Sequence, residues 1–167
     1  MYANFKYKDI NQVMYLMNIQ IYSGVDFTCK LFPYMEPEKL FYFLRSLVKY
    51  KDDPKNNELL MSPQTFATDN NYWGVPFTGD CDDYTIFVTA YCIYYDIPCQ
   101  IVLAGRSKKA PVHIYNLVKY EGKFVPFDLT NSFFNFERDD YSYFQKMKVN
   151  GMEVVLYLII EFLLITT

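Results

Sequence analysis

The chain has 167 residues and a mass of 19.9 kDa, which fits one domain with a single sizeable core. Hydrophobic residues make up 51% and charged residues 21%, which excludes a disordered polymer. A net charge of -3 and a pI near 5.1 exclude a dedicated nucleic-acid binder, so no nucleic-acid partner is expected.

Apolar residues at Ile10, Val13, Met14, Met17 and Ile21 follow a helical period, so residues 8–22 are predicted to form a helix stopped by Gly24. Pro33 and Pro37 bracket a turn, and Pro37 suits the first turn of a second helix carrying Leu40, Phe41, Leu44 and Leu47, ending near Tyr50. Residues 51–57 read as a polar loop. Residues 58–78, with Pro63, Gly74 and Pro76, read as a short helix and an irregular approach to Cys81. From Cys81 to Tyr95 the chain is apolar almost all round, the mark of a helix buried in the core. Asp80 is a good N-cap for it, Asp83 falls at its third position, and Ile97-Pro98 closes it. Three strand-like runs follow at 99–104, 112–120 and 123–128. Glu121-Gly122 reads as a two-residue hairpin turn, and Pro126 implies an edge position. The basic run Arg106-Ser107-Lys108-Lys109 is expected to be a solvated loop.

The stretch 154–165 is strongly apolar but holds Glu161, and it is shorter than the about 20 residues that span a bilayer. It reads as a buried element or a self-association contact; an interfacial anchor on a membrane surface is the alternative. The expected organisation is one domain over residues 1–167. Its core covers about 37–132, and 133–167 form a C-terminal extension. No signal peptide is read at the N-terminus, so a cytoplasmic, reducing setting or a virion-associated one is expected. Aromatic residues make up 20% of the chain. With scarce Ala and plentiful Asn, Lys, Tyr, Ile and Phe, this suits AT-rich coding, as in a phage or a low-GC bacterium.

None of the cysteines, Cys29, Cys81, Cys92 and Cys99, forms a CxxC pair, and His113 is the single histidine. No metal and no cofactor are therefore expected. Cys29, Cys92 and Cys99 read as small buried apolar residues. Cys81 differs because it opens a helix, where backbone N–H groups and a partial positive charge ease thiol ionisation and can bind an oxyanion. If Tyr120 and Lys123 flank the hairpin turn, Tyr115 faces Asp128. His113 then lies on the same face, diagonal to Asp128 at about 7–8 Å between backbones. An imidazole held by a carboxylate and facing a thiol is the arrangement of a general base with its nucleophile. Asp80, Asp82 and Asp83 would oppose ionisation if they pointed at the sulfur, and otherwise serve the helix start. Gln64, Asn71 and Trp73 lie upstream, where a second oxyanion donor could originate; Gln64 and Trp73 are the favoured candidates.

Gly79-Asp80-Cys81-Asp82-Asp83, the buried helix, Asp96-Ile97-Pro98 before a strand, His113, and Lys123-Phe124-Val125-Pro126-Phe127-Asp128 together resemble the transglutaminase-like cysteine hydrolase superfamily, in a form similar to phage and bacterial members. The likeness covers about residues 37–132. It departs from the superfamily's pattern at Asp96, where glycine is usual, and after His113, where Ile114 and Tyr115 replace the usual aromatic neighbour. The resemblance implies a papain-like α+β fold, with N-terminal helices and a central Cys-bearing helix packed on an antiparallel sheet. It implies Cys81 as nucleophile, His113 as base and acid, and Asp128 as the residue that orients the imidazole. The function expected is a cysteine-dependent amidase, peptidase or acyl transferase acting through a thioester on a peptide or protein amide. The alternative is a structural or virion-associated assembly protein that keeps the fold without turnover.

Overall fold

The computed structural model describes residues 2–5, 10–107, 110–137 and 140–149. In chain order these form β1 (Tyr2–Phe5), α1 (Ile10–Ser23), α2 (Val25–Leu31), α3 (Pro37–Leu47), β2 (Lys49–Tyr50), β3 (Glu58–Met61) and α4 (Pro63–Phe66). There follow β4 (Thr78–Gly79), α5 (Cys81–Tyr94), β5 (Cys99–Ser107), β6 (Ala110–Tyr120), β7 (Lys123–Phe127) and β8 (Tyr143–Lys148). The architecture is α+β. Helices dominate the first half, and the main sheet has the order β7-β6-β5-β8, with every pairing antiparallel.

The hairpin of β6 and β7 follows from its turn. Glu121 and Gly122 both take positive φ, 47° and 80°, as a type I′ turn requires, and Tyr120 pairs with Lys123. That register runs to Asn116 opposite Phe127, and Pro126 sits on the edge strand. Beyond Asn116, β6 loses its β7 partner, so its other end is an open edge.

The central helix α5 packs mainly on β6 and α2 and is buried along most of its length because it carries apolar residues on every face. Alternation divides the sheet. Ile101, Leu103 and Ile114 join α1 and α5 in one core cluster, while Val102, Ala104, Tyr115 and Leu117 pack together on the other face. A third cluster, rich in aromatics, joins α3, α5 and β7 through Phe41, Phe87 and Phe127. Tyr91 of α5 and Tyr95 just past its end reach out of this core to hold the connection before α3. Tyr91 Oη accepts from Met35 N at 2.7 Å and donates to Pro33 O at 2.8 Å; Tyr95 Oη donates to Phe32 O at 2.8 Å. A buried side-chain bond links helix and sheet, Asn116 Nδ2 donating to Thr89 Oγ1 at 2.8 Å.

Several local expectations change. The helix read to Tyr50 stops at Leu47, because Lys49-Tyr50 pair in parallel with Thr78-Gly79. The stretch expected to be a short helix and irregular chain also contains β3 and β4, whose partners are distant in sequence. Arg106 and Ser107 continue β5 as exposed strand residues instead of a loop, since antiparallel pairing with β6 extends to Ser107 opposite Ala110. The stretch beyond the core expected from sequence supplies β8, an edge of the main sheet. Among the described residues, no helix is long and apolar enough to cross a membrane. The apolar stretch 154–165 lies outside the described residues.

Candidate active site

The first turn of α5 is fixed from two sides. Asp80 caps it, its Oδ1 accepting from Asp82 N at 3.3 Å. On one flank, Lys51 N donates to Gly79 O and Lys49 N to Phe77 O, both at 2.8 Å. On the other, Asp83 Oδ1 accepts from Met61 N of β3 at 2.8 Å. Glycine at 79 is what permits this. A Cβ there would stand 2.3 Å from Asp83 Oδ2. Asp83 is fully buried, so its backbone contacts are a structural strut and its charge is not a solvated one.

Cys81 follows directly, partly exposed, at a narrow crevice lined among others by Tyr84, Ile114, Tyr115, Asn116 and Asp128. The Ile114 backbone N–H lies close enough to favour its thiolate. The sulfur thus sits against the residue next to His113, on the open edge of β6. His113 Nε2 and Asp128 Oδ2 are 2.7 Å apart, and both side chains are buried. Asp128 is held in turn. Its Oδ1 accepts from Thr130 N at 3.0 Å and from Thr130 Oγ1 at 2.7 Å, and its Oδ2 accepts from Asn131 Nδ2 at 3.2 Å. Burial alone would push this carboxyl up, but the His113 bond and charge, with the Thr130 bonds, hold it below the ordinary range. With Nε2 taken by Asp128, Nδ1 is the ring nitrogen left for chemistry.

Two tyrosine rings lie nearly parallel to the imidazole. Tyr115 has its centroid 5.7 Å away at 21°, and Tyr141 lies at 5.8 Å and 24°. Tyr115 Oη donates to Glu137. The period-two rule puts Tyr115 on the His113 face, but no local signal announces Tyr141, which comes from the connection before β8.

The acids overturn one expectation. The helix start does not make Cys81 easier to ionise. Burial first, and then the Asp80 charge, push the thiol well above its ordinary value, only partly opposed by the Ile114 N–H. Nor are the acids merely a helix cap. Asp82 and Asp83 are buried, and burial first pushes Asp80, Asp82 and Asp83 all upward, with the Asp80 charge adding to it for Asp82 and Asp83. Asp53 and Glu58 join them, Asp53 rising to about 7, chiefly through burial. Carboxylate oxygens of Asp53, Glu58 and Asp82 lie within 4.8 Å of one another, as do those of Asp80, Asp82 and Asp83. Among the described residues, Asp53 Oδ1, Asp82 Oδ1 and Asp83 Oδ2 are buried without a hydrogen-bond partner. Such oxygens are the donors a hard divalent cation takes.

The upstream oxyanion candidates fare differently. Gln64 is exposed on α4 and does not line the crevice. Asn71 is spent on its own turn, its Oδ1 accepting from Trp73 N at 2.9 Å and from Val75 N at 3.2 Å. Trp73 also does not line the crevice; it is partly buried beneath Lys51, whose Nζ lies 5.4 Å from the ring centroid, and its Nε1 is buried without a hydrogen-bond partner among the described residues. Of the other cysteines, Cys92 and Cys99 are buried and Cys29 is partly exposed; all are free thiols.

No protein family matches the chain, and no curated protein matches it. Among solved structures it is similar to a candidate cysteine protease from Cytophaga hutchinsonii, with 12% sequence identity and a TM-score of 0.47. The alignment covers 90% of this chain and 64% of that one, so the chain spans less than two thirds of the length of that protein.

Proposed function

We propose that the protein is a cysteine-dependent hydrolase or acyl transferase of transglutaminase-like, papain-like fold, acting on a peptide or protein amide. The observation that carries this reading is the buried His113–Asp128 pair at 2.7 Å, on the strand edge that also meets Cys81. In the proposed reaction His113 Nδ1 takes the thiol proton and Cys81 Sγ attacks the carbonyl carbon, forming a C–S bond and an oxyanion. The N–H at the first position of α5 has no intrahelical acceptor and suits that oxyanion. Neither upstream candidate, Gln64 or Trp73, is among the residues that line the crevice at Cys81, so the proposed oxyanion site rests on the helix N–H alone. Collapse breaks the C–N bond as His113 returns the proton to the leaving amine. Water, or a second amine, then resolves the thioester.

One observation favours the second reading, an assembly protein that retains the fold without turnover. The acids beside Cys81 disfavour its thiolate. The experiment is the alkylation rate of Cys81 by iodoacetamide against pH, followed by peptide mass, in wild type and His113→Ala. Rapid reaction below the ordinary thiol range, lost in the variant, supports the hydrolase. An ordinary thiol profile in both refutes it and leaves assembly, with residues 154–165 as the segment to delete.

A further inference from the structure

Five carboxyl groups meet beside the start of α5. Asp53 comes from the connection between β2 and β3, Glu58 opens β3, and Asp80, Asp82 and Asp83 belong to the cap and first turn of the helix. Among the described residues, none of the five is paired with a lysine or arginine. Carboxylates taken out of water without such partners are costly, so a cluster of this kind holds either protons or a cation. We propose that Asp53, Glu58 and Asp82 hold one divalent cation, calcium in preference to magnesium, which ties the β2–β3 connection and β3 to α5. The site does not depend on Cys81 acting as a nucleophile.

The cluster's acidity alone would not carry this. Asp82 does. Its side chain is 4% exposed, and its Oδ1 meets no hydrogen-bond partner among the described residues. Buried polar oxygens are nearly always satisfied, so one that no donor reaches points to a ligand. Asp82 is also aimed into the cluster, because it belongs to both close groups of oxygens, with Asp53 and Glu58 and with Asp80 and Asp83, each group lying within 4.8 Å. Asp53 repeats the pattern. A turn closed by Asn57 N donating to Pro54 O at 2.9 Å folds its segment back toward β3. Its Oδ2 is then taken by Leu59 N at 2.5 Å, and its Oδ1 is left buried without a partner among the described residues. Asp80 and Asp83 are less free, since each spends its Oδ1 on the backbone, at Asp82 N and at Met61 N. They add negative charge behind Asp82.

The size of the ion follows from the spacing. Two oxygens on opposite sides of calcium stand about 4.6–5.2 Å apart, twice the bond length; around magnesium the limit is about 4.0–4.2 Å. Oxygens within 4.8 Å of one another fall inside the calcium limit as they stand. Magnesium also demands an octahedron and keeps several waters, for which the burial of Asp82 leaves little room. The lack of CxxC pairs and of a second histidine argues against thiolate and imidazole sites, and says nothing of carboxylates that only the fold brings together.

The full chain, stripped with EDTA and desalted, is titrated with calcium chloride and with magnesium chloride by calorimetry, as wild type, Asp82→Asn and Glu58→Gln. Thermal unfolding is followed in parallel. Wild type is expected to bind one calcium with a Kd of about 1–100 μM. With calcium at about one hundred times the Kd, its Tm rises by about 5–10 °C. Asp82→Asn loses the calcium response, yet in chelator its Tm equals or exceeds wild type, because a buried charge is gone. Glu58→Gln weakens calcium binding about tenfold or more. Glu58 is only partly buried, so that variant reads the site even if Asp82→Asn does not fold. A wild type that gives neither heat nor a Tm rise up to about 10 mM calcium overturns the proposal, since the weakest calcium modules bind below that. So do variants that bind calcium as wild type does, which would put the ion elsewhere. Tighter binding of magnesium overturns the choice of calcium. No readout involves turnover or the Cys81 thiol, so the cation site and the hydrolase reading fail separately.

Discussion

Asp53→Asn should stabilise the protein at pH 8 and leave it nearly unchanged at pH 5. Asp53 Oδ2 accepts from Leu59 N at 2.5 Å, so the site needs one acceptor, which an asparagine carbonyl still supplies. Its Oδ1 is buried without a hydrogen-bond partner among the described residues, and one of its carboxylate oxygens lies within 4.8 Å of oxygens of Glu58 and Asp82. An amide there removes the negative charge from this group. Burial, then the Asp80 charge, raises the Asp53 carboxyl from 3.8 to about 7. An acid whose folded value lies above its unfolded value adds stability at low pH, and that stability is lost as pH rises through the folded value. Here the window runs from about pH 4 to about pH 7, and the charge is a net burden above it. A shift of this size corresponds to about 4 kcal/mol if nothing screens it. Asp53 is only partly buried, so about 1–2 kcal/mol is the reasonable share. For a chain of this length that is about 3–6 °C in Tm. The assay is thermal unfolding of wild type and Asp53→Asn at pH 5 and pH 8, in chelator, since a divalent cation would neutralise the same carboxylates. A wild-type Tm that rises from pH 5 to pH 8, or an Asp53→Asn that is equally destabilised at both, would refute the reasoning.

Two further substitutions probe the frame around the site. Thr89→Val removes the Oγ1 that accepts from the Asn116 amide between α5 and β6, both residues being fully buried; urea unfolding should show a loss of about 1–3 kcal/mol without a change in m-value. Asp96→Gly relieves a residue held at φ 52° just past α5; a rise in urea midpoint worth about 0.5–1 kcal/mol is expected, and a fall would mean the Asp96 side chain contributes something the backbone argument misses.

What was legible in the sequence was whatever depends on a few neighbouring residues. Asp80 announces the start of α5 because a short acceptor side chain satisfies a free helix N–H, and Ile97-Pro98 announces its end. Glu121-Gly122 fixes the hairpin, and the hairpin alone dictates that Tyr115, His113 and Asp128 converge on one face. A positive-φ pair allows a single register, and alternation does the rest. The tertiary structure decided everything that depends on distant partners. Strands of two to four residues, such as β2, β3 and β4, are too short to carry a period and exist only because another segment supplies their hydrogen bonds. Tyr141 reaches His113 across the sheet edge for the same reason. The charge state beside Cys81 was also beyond the sequence. The three acids that flank Cys81 in the chain, Asp80, Asp82 and Asp83, read from sequence as a helix start, and only the fold brings Asp53 and Glu58 to them as a buried cluster. Their charge state turns on desolvation, a property of the surrounding packing that no run of neighbouring residues encodes.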